Sequence, residues 1–189
     1  PGQSEPENGY VEVTNNQEEG VIEGDLFKRT KDTIFYLNVS ENNYILESYP
    51  ICQESTEKAA SYTITAGDDL YFSGYQDRAE LYLDETGTRA TVISPVYADG
   101  NLYSVLIGLD VSDPLHIKEL GRQYISGNYL SSRYTGGDFL VMNEFKINNR
   151  PDFSDESEYV PQAGALGEME SISMQNIVCP ENANATRYT

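Results

Sequence analysis

Tryptophan is missing from this 189-residue chain, histidine occurs once and cysteine twice. The lack of tryptophan argues against sialidase-type Asp boxes and against WD and kelch repeats, whose units reuse that residue. Basic residues are scarce as well, 12 against 31 acidic, for a formal charge of −19 at pH 7. Nucleic acid is therefore disfavoured as a partner, because phosphate neutralisation needs clustered Lys and Arg and a surface this negative repels a polyanion. Long hydrophobic runs are missing too. The longest largely apolar stretch, Leu102–Leu109, is far short of the roughly 20 residues that a membrane-spanning helix needs. Pro1 is not an initiator methionine and no signal-peptide pattern follows it, so a leader or anchor is expected to have been removed.

The familiar catalytic signatures are also missing: no Gly-x-Ser-x-Gly elbow, no His-Glu-x-x-His, no phosphate loop and no Asp-Thr-Gly. His116, the sole histidine, follows Asp113-Pro114 in a polar turn and reads as a solvent-exposed turn residue rather than a base or metal ligand. A triad of His116 with Ser131 or Ser132 has no support from spacing. Cys52 and Cys179 lie in loop-like contexts without a CxxC, which leaves a disulfide and two separate, partly buried thiols both open. The sequons Asn38-Val-Ser40 and Asn184-Ala-Thr186 matter only in a glycosylating secretory pathway.

What is present is apolar material for a core, with 39% hydrophobic residues and 15 Tyr beside 6 Phe, in a length that fits one domain or part of one. β-Branched and aromatic runs recur about every ten residues between Gly, Asn, Asp and Pro, a rhythm that means an all-β chain. The runs are Thr33–Leu37, Tyr44–Tyr49, Ser61–Thr65, Leu70–Tyr75, Ala79–Leu83, Ala90–Val96, Leu102–Leu109, Glu119–Ile125, Tyr129–Tyr134 and Phe139–Phe145. Asp99-Gly100, Glu85-Thr86-Gly87-Thr88 and Gly136-Gly137 join successive runs as hairpins, because tight turns need the positive φ that glycine tolerates. Gly127-Asn128 precedes the last pair, and together these joints make a meander. Ser112-Asp113-Pro114 imitates a helix start ahead of LHIKEL, but Gly121 cuts it short, so a tight Asp-Pro turn leading into a strand is expected. Residues 1–13 read as a flexible lead and 14–189 as the folded part. Within it, Ile147 to about Ser171 is expected to be one long acidic surface loop, less ordered than the strands.

Acidic pairs such as Asp68-Asp69 and Asp84-Glu85 make poor acid–base couples, since neighbours on a strand face opposite ways, and they read as solvated turn residues. No cofactor or metal is expected. Calcium, which needs only hard oxygen ligands, is the alternative, although Asp152, Asp155, Glu156 and Glu158 lack the glycine-punctuated spacing of a dedicated loop. The tyrosines admit two readings. On a buried face they line the core with hydroxyls at its rim; on an exposed face they form a carbohydrate- or peptide-binding surface. Tyr75, Tyr97, Tyr103 and Tyr134, with Arg133, are the candidate ligand-binding residues on the second reading, and Arg133 and Arg78 are also candidates for ion pairs in an acidic field.

Such a meander fits a sandwich, a barrel or a propeller. The stretches TNNQEEGVIEGDLFKRTKDTIFYL at Thr14–Leu37 and GLDVSDPLHIKELGRQYISGNYLSSRYTGGDFLVMNEF at Gly108–Phe145 resemble, in order and spacing, bacterial secreted proteins that carry a C-terminal β-propeller domain. The opening pattern of that family is kept at Thr14, Asn15, Gln17, Gly20, Glu23 and Asp25, and its later hallmark at Asp110–Pro114 and Ser131–Arg133. Gly24 departs from it, standing where a small non-glycine residue is expected.

The resemblance implies a partial (truncated) propeller of consecutive antiparallel meander blades. At roughly 45 residues a blade the chain holds three or four, whereas closed propellers have four to eight. It also implies an extracellular place, secreted or anchored to a bacterial surface, but no activity; the role expected is a non-enzymatic binding or scaffold module for an unidentified protein or glycan ligand. The rival reading is part of a hydrolase acting on polysaccharide or peptide, which two facing, buried carboxylates would favour. An open blade edge is expected either to recruit a second copy or to be covered by the chain's own end, with Ala185–Thr189 as the pairing segment.

Overall fold

The alternating runs form strands, each bounded by a turn residue that ends the pairing. The computed structural model describes residues 21–39, 43–51, 57–67, 70–72, 79–98, 100–147, 149–176 and 187–188. Tyr75, Arg78, Cys52, Cys179, Asp68-Asp69, the Asn184 sequon, the 1–13 lead and the part of the opening pattern before residue 21 lie outside them.

Strands β1 (Phe27–Arg29), β2 (Thr33–Val39), β3 (Asn43–Pro50) and β4 (Ala60–Thr65) pair in chain order as a four-stranded antiparallel meander, the first blade. The second blade is built on β7 (Arg89–Ala98), β8 (Asn101–Asp110) and β9 (Lys118–Ser126). Two short strands, β5 (Leu70–Phe72) and β6 (Glu80–Leu83), occupy the two ends of the outer edge of β7. The third sheet joins β10 (Asn128–Thr135) to β11 (Asp138–Lys146), and β11 to β14 (Arg187–Tyr188). Two residues of the segment expected to pair therefore do pair within the chain, Tyr188 opposite Phe145 and Arg187 opposite Lys146. No sheet closes on itself among the described residues.

The turns at Gly87, Gly100 and Gly136-Gly137 hold the positive φ anticipated for hairpins. Gly127 does something else. It carries the chain from β9 into a different sheet, at φ 109°, and a Cβ there would lie 2.9 Å from the carbonyl oxygen of Glu144. Residues 112–117 form the Asp-Pro turn ahead of β9, and the described helical segments are the 3-10 turns Glu156–Glu158 and Met174–Asn176.

The acidic stretch departs from expectation. It is irregular only as far as Pro161, after which β12 (Gln162–Ala165) and β13 (Glu168–Ser171) form a hairpin on the edge of β9, with Ala163 opposite Ile125. Two apolar anchors explain this: Val160 is buried, and Met169 packs against the main core. Gly167 at φ 85° makes the tight turn between the strands.

The blades stack face to face in chain order. Phe35, Leu37, Tyr44, Leu46 and Ile64 of the first meet Leu81, Val92, Val96, Val105 and Ile107 of the second in the main core. Tyr44 donates to or accepts from Ser94 Oγ across that seam at 2.7 Å. The opposite face of the second blade, with Tyr82 and Ile93, packs on Tyr129 and Tyr134 of the third. Being covered on both sides, β7 and β8 read as near-continuous apolar runs, whereas β10 and β11 alternate.

Candidate functional site

Strand register sets which tyrosines reach solvent. Tyr71 lies opposite Tyr97, and Tyr97 opposite Leu102. Directly opposed residues of antiparallel strands share a face, so the three stand in one row across β5, β7 and β8. They are 66%, 43% and 38% exposed. Further along the same face Pro95 and Ser104 are buried, and Ser104 Oγ donates to Asn143 Oδ1 on β11 at 2.8 Å. The row is thus an aromatic ledge where the second blade extends past the third, bordered by a polar hydroxyl–amide pair.

Of the residues singled out from the sequence, Tyr97 stands on this ledge. Tyr103, the next residue after Leu102, necessarily points the other way and packs against the main core. Tyr134 is buried in the second core, its ring 4.8 Å from that of Phe139. Arg133 is half-exposed on β10, where it donates to the carbonyl of Ser132 at 2.7 Å and pairs with Glu23 Oε1 at 3.4 Å. Neither Tyr103, Tyr134 nor Arg133 shares a surface with Tyr97. Tyr71 was legible only as one of many strand tyrosines, because its register against β7 spans the connection through residues 73–88.

The two stretches quoted for the family resemblance meet in space. Ile22 exchanges backbone hydrogen bonds with Tyr134 (2.8 and 3.0 Å), and Asp25 with Leu81 (3.4 and 2.8 Å), so the opening segment straps the third blade to the second. Under the strap lies a hydroxyl–carboxylate network. Ser132 Oγ sits 2.9 Å from Tyr82 Oη and 2.7 Å from Tyr129 Oη, and donates to Glu80 Oε2 at 2.8 Å. Tyr82 Oη also donates to Glu80 Oε2, at 2.5 Å. Buried Lys28 donates to the Glu23 carbonyl at 2.6 Å and lies 5.9 Å from the centre of the Tyr82 ring. Gly24, the residue that departs from the family pattern, has a direct role here: a Cβ would collide with the Glu80 side chain. Ser132, Tyr82 and Tyr129 are almost wholly buried, so the network organises the seam and offers no accessible nucleophile.

Burial raises the phenol pKa of Tyr44, Tyr82, Tyr129 and Tyr134 above the ordinary 10.0, and for Tyr82 the bond to Glu80 adds to the effect. The folded state therefore keeps protons that the unfolded chain releases. Their contribution to stability is complete below about pH 10 and declines as pH climbs above it, because only the unfolded state ionises freely there. Phenolate absorbance followed with circular dichroism should show a group of tyrosines that titrate only as the β signal is lost. Full titration with the β signal intact would refute this.

Several of the described carboxylates do the opposite of what a general acid in glycoside hydrolysis requires. Hydrogen-bond donors hold five of them below the usual range: Tyr49 on Glu47, Ser112 on Asp110, His116 on Asp113, Arg122 on Glu119 and Ser154 on Asp152. A general acid needs burial to keep its proton instead. Asp84 accepts from the backbone N–H of Thr88 and Arg89, and Asp155 from Ser157, so these acids tie down turns. His116 is exposed beside Asp113, at 2.7 Å. Among the described residues, no group of three or more His, Cys, Asp or Glu could hold a metal ion, and no helix is long and apolar enough to cross a membrane.

No curated protein and no solved structure matches the chain. The family model of the beta propeller domain matches residues 11–189. The three antiparallel sheets of the described residues, stacked face to face and none of them closed there, are consistent with a partial propeller. The chain belongs to the beta propeller domain family.

Proposed function

We propose that this propeller serves as an extracellular binding module, on a secreted or surface-anchored bacterial protein, and that the ledge of Tyr71, Tyr97 and Leu102 is its glycan platform. The observation that carries the reading is two tyrosines side by side on a rigid sheet, largely open to solvent, beside the Ser104–Asn143 pair. Sugar rings present apolar C–H faces that stack on such a surface while the tyrosine hydroxyls serve their hydroxyl groups. A chain at −19 repels acidic sugars, so neutral or amino sugars are the favoured class. The resemblance to secreted bacterial proteins supports the extracellular placement.

A glycan array probed with the chain and with Tyr97→Ala tests this. Binding to a neutral or amino-sugar group should fall at least about tenfold in the variant, the loss of ~1.4 kcal/mol expected of one stacking ring. A silent array, or binding indifferent to both Tyr71→Ala and Tyr97→Ala, would overturn the assignment.

A further inference from the structure

The row of Tyr71, Tyr97 and Leu102 does not stop at Leu102. On the register that pairs Tyr103 with Ser126, Leu102 stands opposite Gly127, whose N–H donates to the Leu102 carbonyl at 2.8 Å. Four positions therefore share one face, and three strand spacings of about 4.8 Å make the row roughly 14 Å long. Its two ends differ. At Gly127 the chain leaves the second blade, and β11 comes so close that a Cβ there would lie 2.9 Å from the Glu144 carbonyl oxygen and 3.2 Å from the Phe145 nitrogen. Asn143 of β11 faces the second blade, donating to the carbonyls of Ile125 and Ser126 at 3.3 and 3.4 Å, and Phe145, two residues further on, shares that face. Phe145 is half-buried yet belongs to neither core. At the other end of the row Tyr71 stands 66% exposed on the edge strand β5.

The geometry points to a groove that is open at Tyr71 and blind at Gly127, with Phe145 as its end wall, and that takes the free end of a neutral or amino-sugar chain. This rests on the reading of the ledge as a glycan platform and adds which part of a glycan is held. A platform open at both ends accepts a chain anywhere along its length, whereas a wall across one end admits it only by its terminus. About three pyranose rings laid end to end fill the roughly 14 Å of the row. The terminal ring lies against Leu102 and Phe145, and the rings behind it stack on Tyr97 and Tyr71. Glycine at 127 is what lets the wall stand so near, since any side chain there would hold β11 away.

The experiment is a glycan array of linear neutral and N-acetylamino oligosaccharides in graded lengths, each attached through its reducing end and each printed a second time with its free terminal ring blocked by a bulky neutral acetal. Signal should rise up to about three residues and then level off, and blocking should lower it at least about tenfold. Phe145→Ala, with unchanged circular dichroism, should accept blocked and free chains to within about threefold of each other, because the wall is gone. The wild-type comparison uses no variant, so it decides the matter even where Phe145→Ala does not fold. Equal binding of blocked and free chains, or a signal that goes on rising with length, overturns the blind end and leaves the platform standing. A silent array overturns both.

Discussion

Gly24→Ala should destabilise the fold by about 3 kcal/mol, a cost far above that of an ordinary surface change. A methyl group at this position meets not only the carboxylate end of Glu80 but also its Cβ and Cγ, at 2.5 and 2.7 Å, so rotating the flexible tip does not clear the space. Either the strap lifts, breaking the Asp25–Leu81 backbone pair, or Glu80 moves and withdraws the acceptor that Tyr82 and Ser132 share. Overpacking costs roughly 1–3 kcal/mol, and losing hydrogen bonds to a charged group a further ~1.5–3. For a chain of this size that means a fall in thermal midpoint of roughly 6–12 °C. The control is the same substitution made in a Glu80→Ala background, where the obstruction is gone and the added cost should shrink below about 1 kcal/mol. Equal losses in both backgrounds would mean that the glycine is needed for another reason.

Ser132→Ala is the second large effect expected, at about 2–3 kcal/mol, whereas Ser131→Ala should cost less than about 0.5. The two serines are adjacent in sequence and opposite in consequence. Ser132 is buried at the hub of Tyr82, Tyr129 and Glu80, and Ser131 is half-exposed on the other face of β10. Without the hydroxyl, two buried phenols lose a partner in a place water cannot reach, and such networks weaken by more than the sum of their bonds. Chemical denaturation of Ser132→Ala, Tyr82→Phe and the double variant measures the coupling directly, with an expected value of about 1 kcal/mol or more. If the two serine variants lose the same stability, the hub assignment is wrong.

Both effects arise where residues 50 to 56 positions apart meet, Ser132 with Tyr82 and Glu80 and Gly24 with Glu80, and neither could be read along the chain. The opening and hallmark stretches were each visible as patterns, but Glu23 and Arg133 gain their partnership only when the strap crosses β10. The same limit applied to the tyrosines. Alternation along β8 puts Tyr103 opposite in direction to Leu102 whatever the fold, yet which direction is solvent depends on where the third blade stops covering the second. Tyr71 joined Tyr97 on the ledge, and Tyr134 left the surface, for that reason alone. The β12–β13 hairpin was missed because its strands are short and flanked by acids, and what fixes them is Met169 and Val160 reaching cores built by distant strands.

The sequence by itself determined what is local: the strand runs, the positive-φ turns at Gly87, Gly100 and Gly136-Gly137, and the Asp-Pro turn before β9. Those features depend on backbone sterics and side-chain alternation within a few residues, which composition and order encode directly. Tertiary structure alone decided which faces are buried, which tyrosines are exposed and why position 24 must be glycine. These depend on contacts between segments far apart in sequence, and a one-residue change of register would reassign every one of them.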